Sequence, residues 1–271
     1  MNRSACSSCI DYLEGNTLKQ KIQQKQVILG TMLSELSTPN IIRVMKAGGL
    51  EFVIIDAEHG PFDLSQLSDL VAEANLCGLP CLVRIPEIRR EWITKVLDMG
   101  ADGMLVPMVS TKEDAEKIVR LAKYPPLGCR GVSTTRAHTN YNPGKLGDYF
   151  VEANNRTIIL TQIETPEGVE NAQDIINVEG VDALMVGPSD LSTSYGFPGD
   201  ADAPVVQEAI EKVLAAAKAA GKTAGFIHSK PEKLRKWKAR GMTIFSCGSE
   251  LNMIKNGVKR NAEALYAPDD K

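Results

Sequence analysis

Apolar positions along this chain switch repeatedly between two rhythms. Short continuous runs rich in Val, Ile, Leu and Met occupy 27–32, 52–56, 80–85, 103–108, 157–163, 183–186, 223–227 and 243–246. They have strand length without alternation, as expected of strands covered on both faces. Between them lie segments whose apolar residues recur at three and four, the helical spacing: LSQLSDLVAEANL (64–76), STKEDAEKIVRLAK (110–123) and APVVQEAIEKVLAAAKAAG (203–221). Four times a helical stretch ends in glycine just before an apolar run, in AGGLEFVIID, MGADGMLVPMV, VEGVDALMVG and ARGMTIFSCG. Glycine past a helix end takes the left-handed conformation at no steric cost. Ser110 with Glu113 predicts a capping box for the 110–123 helix, Pro204 fits the first turn of the 203–221 helix, and Gly221 fits its end.

Eight strands in strict alternation with helices predict an α/β fold, a closed (β/α)8 TIM barrel, rather than an open doubly wound sheet. The expected organisation is a single barrel domain over 17–271, entered by a helix in LKQKIQQKQ, after a flexible tail over 1–16. One connection is out of proportion. Residues 124–156, rich in Arg, Tyr, Asn and Gly, join a helix to the fifth strand with far more chain than such a link uses. A helical stretch at 146–154 argues against disorder, and a substrate or subunit contact is expected there.

Composition narrows the partners. Hydrophobic residues make up 43% and charged residues 24%, ordinary for a globular chain, and the net charge of −3 offers no basic field for nucleic acid or an anionic membrane. No run approaches a membrane span, and the N-terminus has no apolar secretory core, so a cytoplasmic protein acting on small molecules is expected. Of the six cysteines, Cys77, Cys81, Cys129 and Cys247 lie in or beside apolar runs and read as packing residues. Cys6 and Cys9 form a CxxC that lacks the second ligand pair of a zinc site.

In such a barrel the chemistry sits where strands hand over to the following loops. The second run ends in DAEHG (Asp56, Glu58, His59), the third in VRIP (Arg84), the fifth in QIETPEG (Gln162, Glu164) and the sixth in VGPSDLS (Ser189, Asp190). Glu164 and Asp190 form an oxygen-only pair of the kind a hard divalent cation needs. The plainer alternatives are that Glu164 faces water and that Asp190 caps a helix starting at Leu191. Arg84, set between Val83 and Ile85, lies too near the barrel wall to be left without an anion. His59 beside two carboxylates is a candidate for proton transfer, whereas His138 and His228 lack such company.

Taken in order, LGTML (29–33), IIDAEHGP (54–61), LVRIP (82–86), VLDMGADGMLVPMV (96–109), RGVS (130–133), QIETPEGVEN (162–171) and VGPSDLSTSYG (186–196) resemble the metal-dependent, class II pyruvate aldolases. The likeness is to the 4-hydroxy-2-oxoheptanedioate and 2-dehydro-3-deoxyglucarate aldolase family and extends over roughly 16–266. It implies a carbon–carbon lyase that reversibly cleaves 4-hydroxy-2-oxo acids to pyruvate and an aldehyde through a pyruvate enolate. Glu164 and Asp190 would be the protein ligands of Mg²⁺, Mn²⁺ or a similar ion such as Co²⁺. Arg84 would meet the keto oxygen of the 2-oxo acid, and Gln162, Ser189 and Asp190 would complete substrate binding. His59, paired with Asp98, would form the acid–base system at the aldehyde end. Because Asp98 ends a helix at the far end of the barrel, that pairing would cross a subunit interface in a homo-oligomer, a hexamer by resemblance. Asp56 and Glu58 would support these groups from behind.

The stretch RGVSTTRAHTNYN departs from relatives acting on dicarboxylic substrates and leaves open whether Arg130 or Arg136 meets a distal carboxylate. GFPGD (196–200) stands where the family commonly has a histidine-containing GHPG. None of the eight runs carries a lysine, which argues against Schiff-base chemistry. The remaining alternatives are a citrate-lyase-like or malyl-CoA-lyase-like enzyme and a non-catalytic barrel that binds 2-oxo acids.

Overall fold

Every expected strand forms. The computed structural model describes residues 17–267. In chain order the elements are α1 (Leu18–Gln23), β1 (Ile28–Leu33), α2 (Asn40–Ala47), β2 (Phe52–Asp56), α3 (Leu64–Cys77), β3 (Cys81–Arg84), α4 (Arg90–Asp98), β4 (Gly103–Val106) and α5 (Lys112–Ala122). A 3₁₀ turn (Ala137–Thr139) and α6 (Leu146–Arg156) follow, then β5 (Ile158–Ile163), α7 (Pro166–Glu170), α8 (Ala172–Asn177), β6 (Ala183–Val186) and α9 (Pro188–Ser194). The chain continues through α10 (Pro204–Ala219), β7 (Thr223–Ile227), α11 (Pro231–Arg240), β8 (Ile244–Ser249) and α12 (Glu250–Leu265). The strands pair in parallel in sequence order, and β8 returns to β1, closing the (β/α)8 barrel. The tail expected over 1–16, with Cys6 and Cys9, lies outside the described residues.

Strand residues divide by alternation. One set, including Ile28, Met32, Phe52, Ile54, Leu82, Leu105, Ile158, Leu160, Met185 and Ile244, fills the barrel interior. The other, including Val53, Ile55, Val83, Met104, Ile159, Leu184, Phe226 and Phe245, packs outward on the helices. The interior is full: a Cβ on Gly30 would lie 2.6 Å from the Phe52 ring. At the four helix-to-strand junctions marked by glycine, Gly49, Gly100, Gly180 and Gly241 take positive φ.

Two local expectations change. The cap of α5 is Thr111 with Asp114, one residue after the expected Ser110 and Glu113; the Thr111 hydroxyl accepts from the Asp114 N–H, and the Asp114 carboxylate accepts from the Thr111 N–H. Cys129 is exposed, so it is not a packing residue, whereas Cys81 is buried. Pro204 does open α10, and Gly221, at φ +69°, follows its end.

The long 124–156 connection is packed onto the barrel. Tyr124 and Phe150 stack at 4.3 Å, Asn154 exchanges hydrogen bonds with the Tyr124 backbone, and the buried Lys123 ammonium donates to the carbonyls of Asn154 and Thr157. Among the described residues no helix is long and apolar enough to cross a membrane.

Candidate active site

The polar ends of β2, β3, β5 and β6 meet at the mouth of the barrel. Interior alternation carries Asp56, Arg84 and Gln162 upward from Ile54, Leu82 and Leu160, so three polar side chains crown an apolar stack. Asp56 and Arg84 are register partners on adjacent strands. The Asp56 carboxylate accepts from Arg84 Nε at 2.8 Å and Nη2 at 2.6 Å, a two-pronged clamp on a buried guanidinium. The same carboxylate accepts the N–H groups of Glu58 and His59 and so sets the turn after β2. That turn closes so tightly that a Cβ on Gly60 would stand 2.2 Å from the Asp56 carbonyl oxygen.

The anion that Arg84 requires is therefore first of all Asp56, to which the family resemblance assigns only a supporting role. Arg84 Nη1 also lies 3.3 Å from Glu58, and the same Glu58 oxygen is 3.9 Å from His59 Nε2. Burial works against the Arg84 charge, but the hydrogen bonds and charge of Asp56, aided by Glu58 and Glu164, outweigh it and hold the guanidinium above its ordinary value. Burial likewise pushes the Glu58 carboxyl up, against the pull of Arg84 and His59. His59 itself is exposed at the rim.

Across the mouth, Glu164 is held at both oxygens: Gln162 Nε2 donates to one at 2.6 Å and the Met108 N–H to the other at 3.0 Å. Met108 takes φ +55°, a conformation L residues rarely adopt, and this turn aims its N–H at the carboxylate. Burial raises the Glu164 carboxyl to about 7; the Met108 hydrogen bond opposes this, while the negative charge of Asp190 adds to it. Asp190 projects from the first turn of α9 and is exposed; the cap of that helix is Gly187, so the capping alternative for Asp190 does not hold. Gly187 leaves the space that Glu164 and Gln162 use, since a Cβ there would lie 2.2 Å from Glu164 Oε1 and 2.6 Å from Gln162 Nε2. Ser189 lines an adjoining cavity of about 240 Å³ with Pro188, Ser192, Ile227, His228 and Asn252.

These residues suit a divalent cation. A buried carboxylate pressed upward by a second carboxylate is relieved by positive charge between them, and the buried Oε1 of Gln162 has no hydrogen-bond partner. Among the described residues no cluster of three or more His, Cys, Asp or Glu side chains surrounds this point, so a cation here would rest on at most two protein carboxylates.

Asp98 stands apart from this group. It ends α4, away from the mouth, and accepts from Arg130 Nη2 at 2.7 Å, with His138 Nε2 at 3.6 Å. Within the chain it does not meet His59. Arg130 lies over the Tyr124 ring, 4.8 Å from its centroid, so it belongs to the 124–156 packing, and Arg136 bonds Ser133 nearby. Sequence reasoning missed Met108, Gly187 and Ser194, whose hydroxyl donates to the Glu164 carbonyl; they lie inside the motifs at 96–109 and 186–196, but the part each plays depends on a neighbour distant in sequence.

Comparisons with known proteins identify the family. Residues 31–257 match the family described as HpcH/HpaI aldolase/citrate lyase. The chain is 36% identical over 251 residues to 5-keto-4-deoxy-D-glucarate aldolase of Shigella dysenteriae serotype 1 (strain Sd197), covering 92% of this chain and 96% of that one. Among solved structures it resembles the HpcH/HpaI aldolase from Desulfitobacterium hafniense DCB-2, with a TM-score of 0.88, 33% identity, and coverage of 94% of this chain and 99% of that one. It also resembles the citrate synthase SbnG, with a TM-score of 0.83, 31% identity, and coverage of 92% and 97%. A clamped arginine facing a carboxylate pair at the mouth of a closed barrel, in a chain that matches these relatives along most of its length, makes this protein a carbon–carbon lyase belonging to the HpcH/HpaI aldolase/citrate lyase family.

Proposed function

We propose that this protein is a cytoplasmic, metal-dependent aldolase that cleaves 4-hydroxy-2-oxo acids to pyruvate and an aldehyde, and runs the reverse addition. The observation that carries the reading is the opposition of the Asp56–Arg84 clamp to the Glu164–Gln162–Asp190 group across one mouth. Glu164 and Asp190 would hold a Mg²⁺ or Mn²⁺ ion, which when bound supplies Lewis acidity to the 2-oxo group.

The chain's own groups account for the rest. Cleavage breaks the C3–C4 bond: the C4 hydroxyl gives up its proton as the aldehyde forms, and the electron pair moves through C3 toward the 2-oxo oxygen. Negative charge develops on that oxygen, and Arg84, already fixed by Asp56, stabilises it without having to reorganise. Protonation at C3 then gives pyruvate. His59, exposed at the rim beside Glu58, would take the hydroxyl proton at the aldehyde end. Gln162 keeps Glu164 aimed into the mouth, and Ser189 borders the space beside it. The similarity to 5-keto-4-deoxy-D-glucarate aldolase favours a polyhydroxylated, acidic substrate.

The test is exchange of the pyruvate C3 protons in deuterium oxide, followed by NMR with and without chelator, beside cleavage of a 4-hydroxy-2-oxo acid. The reading expects exchange that needs the metal. It also expects His59→Ala to keep metal and pyruvate binding while losing roughly 10²–10⁴-fold in cleavage, the range for one acid–base group. Undiminished exchange in chelator would refute the metal assignment. Loss of pyruvate affinity in step with activity would make His59 a binding residue.

A further inference from the structure

The end of the barrel opposite the mouth gathers positive charge that the aldol chemistry does not use. Leu18 and Ile22 of α1 pack into the barrel interior and close that end. Beside α1 lies a cavity of about 780 Å³, within the range of small-molecule sites. It is bordered by the segments that lead into β5, β6 and β7, at 154–156, 179–182 and 221–222, and by Lys123 just after α5.

Three ammonium groups converge there. Lys19 Nζ and Lys123 Nζ share one acceptor, the Thr157 carbonyl oxygen, at 2.7 Å and 2.9 Å. Lys222 Nζ donates to the carbonyls of Ile176 and Val181 at 2.8 Å and 2.7 Å, on the segment that carries Asp182. The carboxylate among them is Asp182, 10% exposed, which lies 3.0 Å from Lys19 and also accepts the Ile159 N–H. Arg156, Glu152 and Glu179 border the cavity too, but all three are exposed, and Arg156 already has Glu152 at 3.7 Å.

Carbonyl oxygens satisfy the hydrogen bonding of these ammonium groups without cancelling their charge. Three ammonium groups against one carboxylate leave two positive charges, in surroundings where Lys19 is 12% exposed and Lys123 only 1%. The imbalance shows at Lys123: burial first, and then the charge of Lys19, push its ammonium down to about 7, against the pull of Asp182. Burial lowers Lys222 as well, with Asp182 opposing and Lys19 adding. An anion in the cavity would relieve all three.

We propose that this cavity binds a phosphorylated small molecule, its phosphate against Lys19, Lys123 and Lys222 and its organic part in the remaining space beside α1. A phosphate monoester carries a charge of about −1.5 to −2 near neutral pH, which matches the two uncompensated charges. Lysines hold such a group as point charges, whereas a carboxylate is matched better by the planar fork of arginine. A phosphate alone would fill only a small part of the cavity, so an organic phosphate fits it better than the free ion. The site is at the other end of the barrel from Arg84 and Glu164, so occupancy leaves the mouth open while tying α1 to the segments that enter β5, β6 and β7.

The experiment uses the Mg²⁺-loaded full chain with pyridoxal 5′-phosphate as the probe. Its aldehyde condenses with a lysine amine to an imine with loss of water, borohydride reduces the imine to a stable amine, and peptide mapping locates the link. Label should fall on Lys19, Lys123 or Lys222. One or more of glucose 6-phosphate, glycerol 3-phosphate and adenosine monophosphate, at millimolar concentration, should cut that label by about tenfold, while label on the exposed Lys117 and Lys255 stays unchanged. Glucose and saturating pyruvate should give no protection. By titration calorimetry, Lys19→Gln with Lys222→Gln should bind the strongest of the three phosphates about tenfold or more weakly, with the barrel's circular dichroism retained. If that variant fails to fold, the labelling of the native chain decides. Label confined to other lysines, no protection by any of the three, equal protection by citrate or inorganic phosphate, or unchanged affinity in the folded variant would overturn the proposal.

Discussion

Asp56 organises more of the mouth than any other single side chain. Its two oxygens accept from four N–H donors: Nε and Nη2 of the Arg84 guanidinium and the backbone N–H groups that shape the Glu58–His59 turn. Removing one partner of a buried ion pair leaves the other charge uncompensated, at a cost of about 3–5 kcal/mol. Asp56→Ala should therefore lower stability by about that amount in urea unfolding and also reduce activity. Arg84→Lys tests the other side of the clamp. A lysine keeps the charge but lacks the planar fork, so it cannot accept the same two-pronged hold and present a further N–H to the reacting oxygen. We expect kcat/KM to fall by on the order of 10²-fold or more, with a smaller loss of stability than in Asp56→Ala. Wild-type turnover in Arg84→Lys would show that charge alone suffices.

At the scale of elements, the site depends on junctions rather than on strand interiors. The β4 exit places Met108 at positive φ to reach Glu164, the β5 exit carries Gln162 and Glu164, and the β6–α9 junction supplies the gap at Gly187. Gly187→Ala should be instructive because φ at this position is −95°, which alanine adopts freely. Backbone strain is therefore not the issue. The new methyl would collide with Glu164 Oε1 and Gln162 Nε2, and one of them must move. The variant should fold with a near-normal melting temperature and bind Mn²⁺ at least tenfold more weakly by titration calorimetry. Unchanged affinity would mean that neither side chain needs its present position for the metal. A large loss of stability would mean that the junction, rather than the site, requires glycine.

For the whole molecule, the charge balance at the mouth links metal, pH and stability. Glu164 sits at about 7 because of burial first and Asp190 second, well above the ordinary range of a carboxyl group. Protons then compete with the cation for it, so Mn²⁺ affinity should weaken by up to about tenfold per pH unit below 7 and level off above. The metal-free protein has the opposite preference. A group whose folded value is raised contributes stability below its unfolded value, and that contribution is lost as pH climbs through about 7. Melting curves in chelator should therefore show the Glu164 contribution declining between about pH 4.5 and 7. Saturating Mn²⁺ at pH 8 should raise the melting temperature by more than at pH 5.5. An equal metal-induced shift at both pH values would separate Glu164 from the cation.

Much of this architecture is written in the order of the residues, and the reasons are local. Continuous apolar runs of strand length, helical spacing between them, and glycine where a helix must turn back each act over a few neighbours, so eight strands and their alternation are legible without a structure. Positions at strand ends followed from that alternation, which is why Arg84, Gln162, Glu164 and Asp190 could be named beforehand. What these residues touch was not legible. Asp56 meets Arg84 across adjacent strands, Met108 reaches Glu164 from another loop, Asp98 is held by Arg130 and His138, and Glu250 closes onto the loop after β1 from the opposite end of the chain. Each pairing joins residues 28 or more apart, and nothing in a short window encodes it; only closure of the barrel sets the distances.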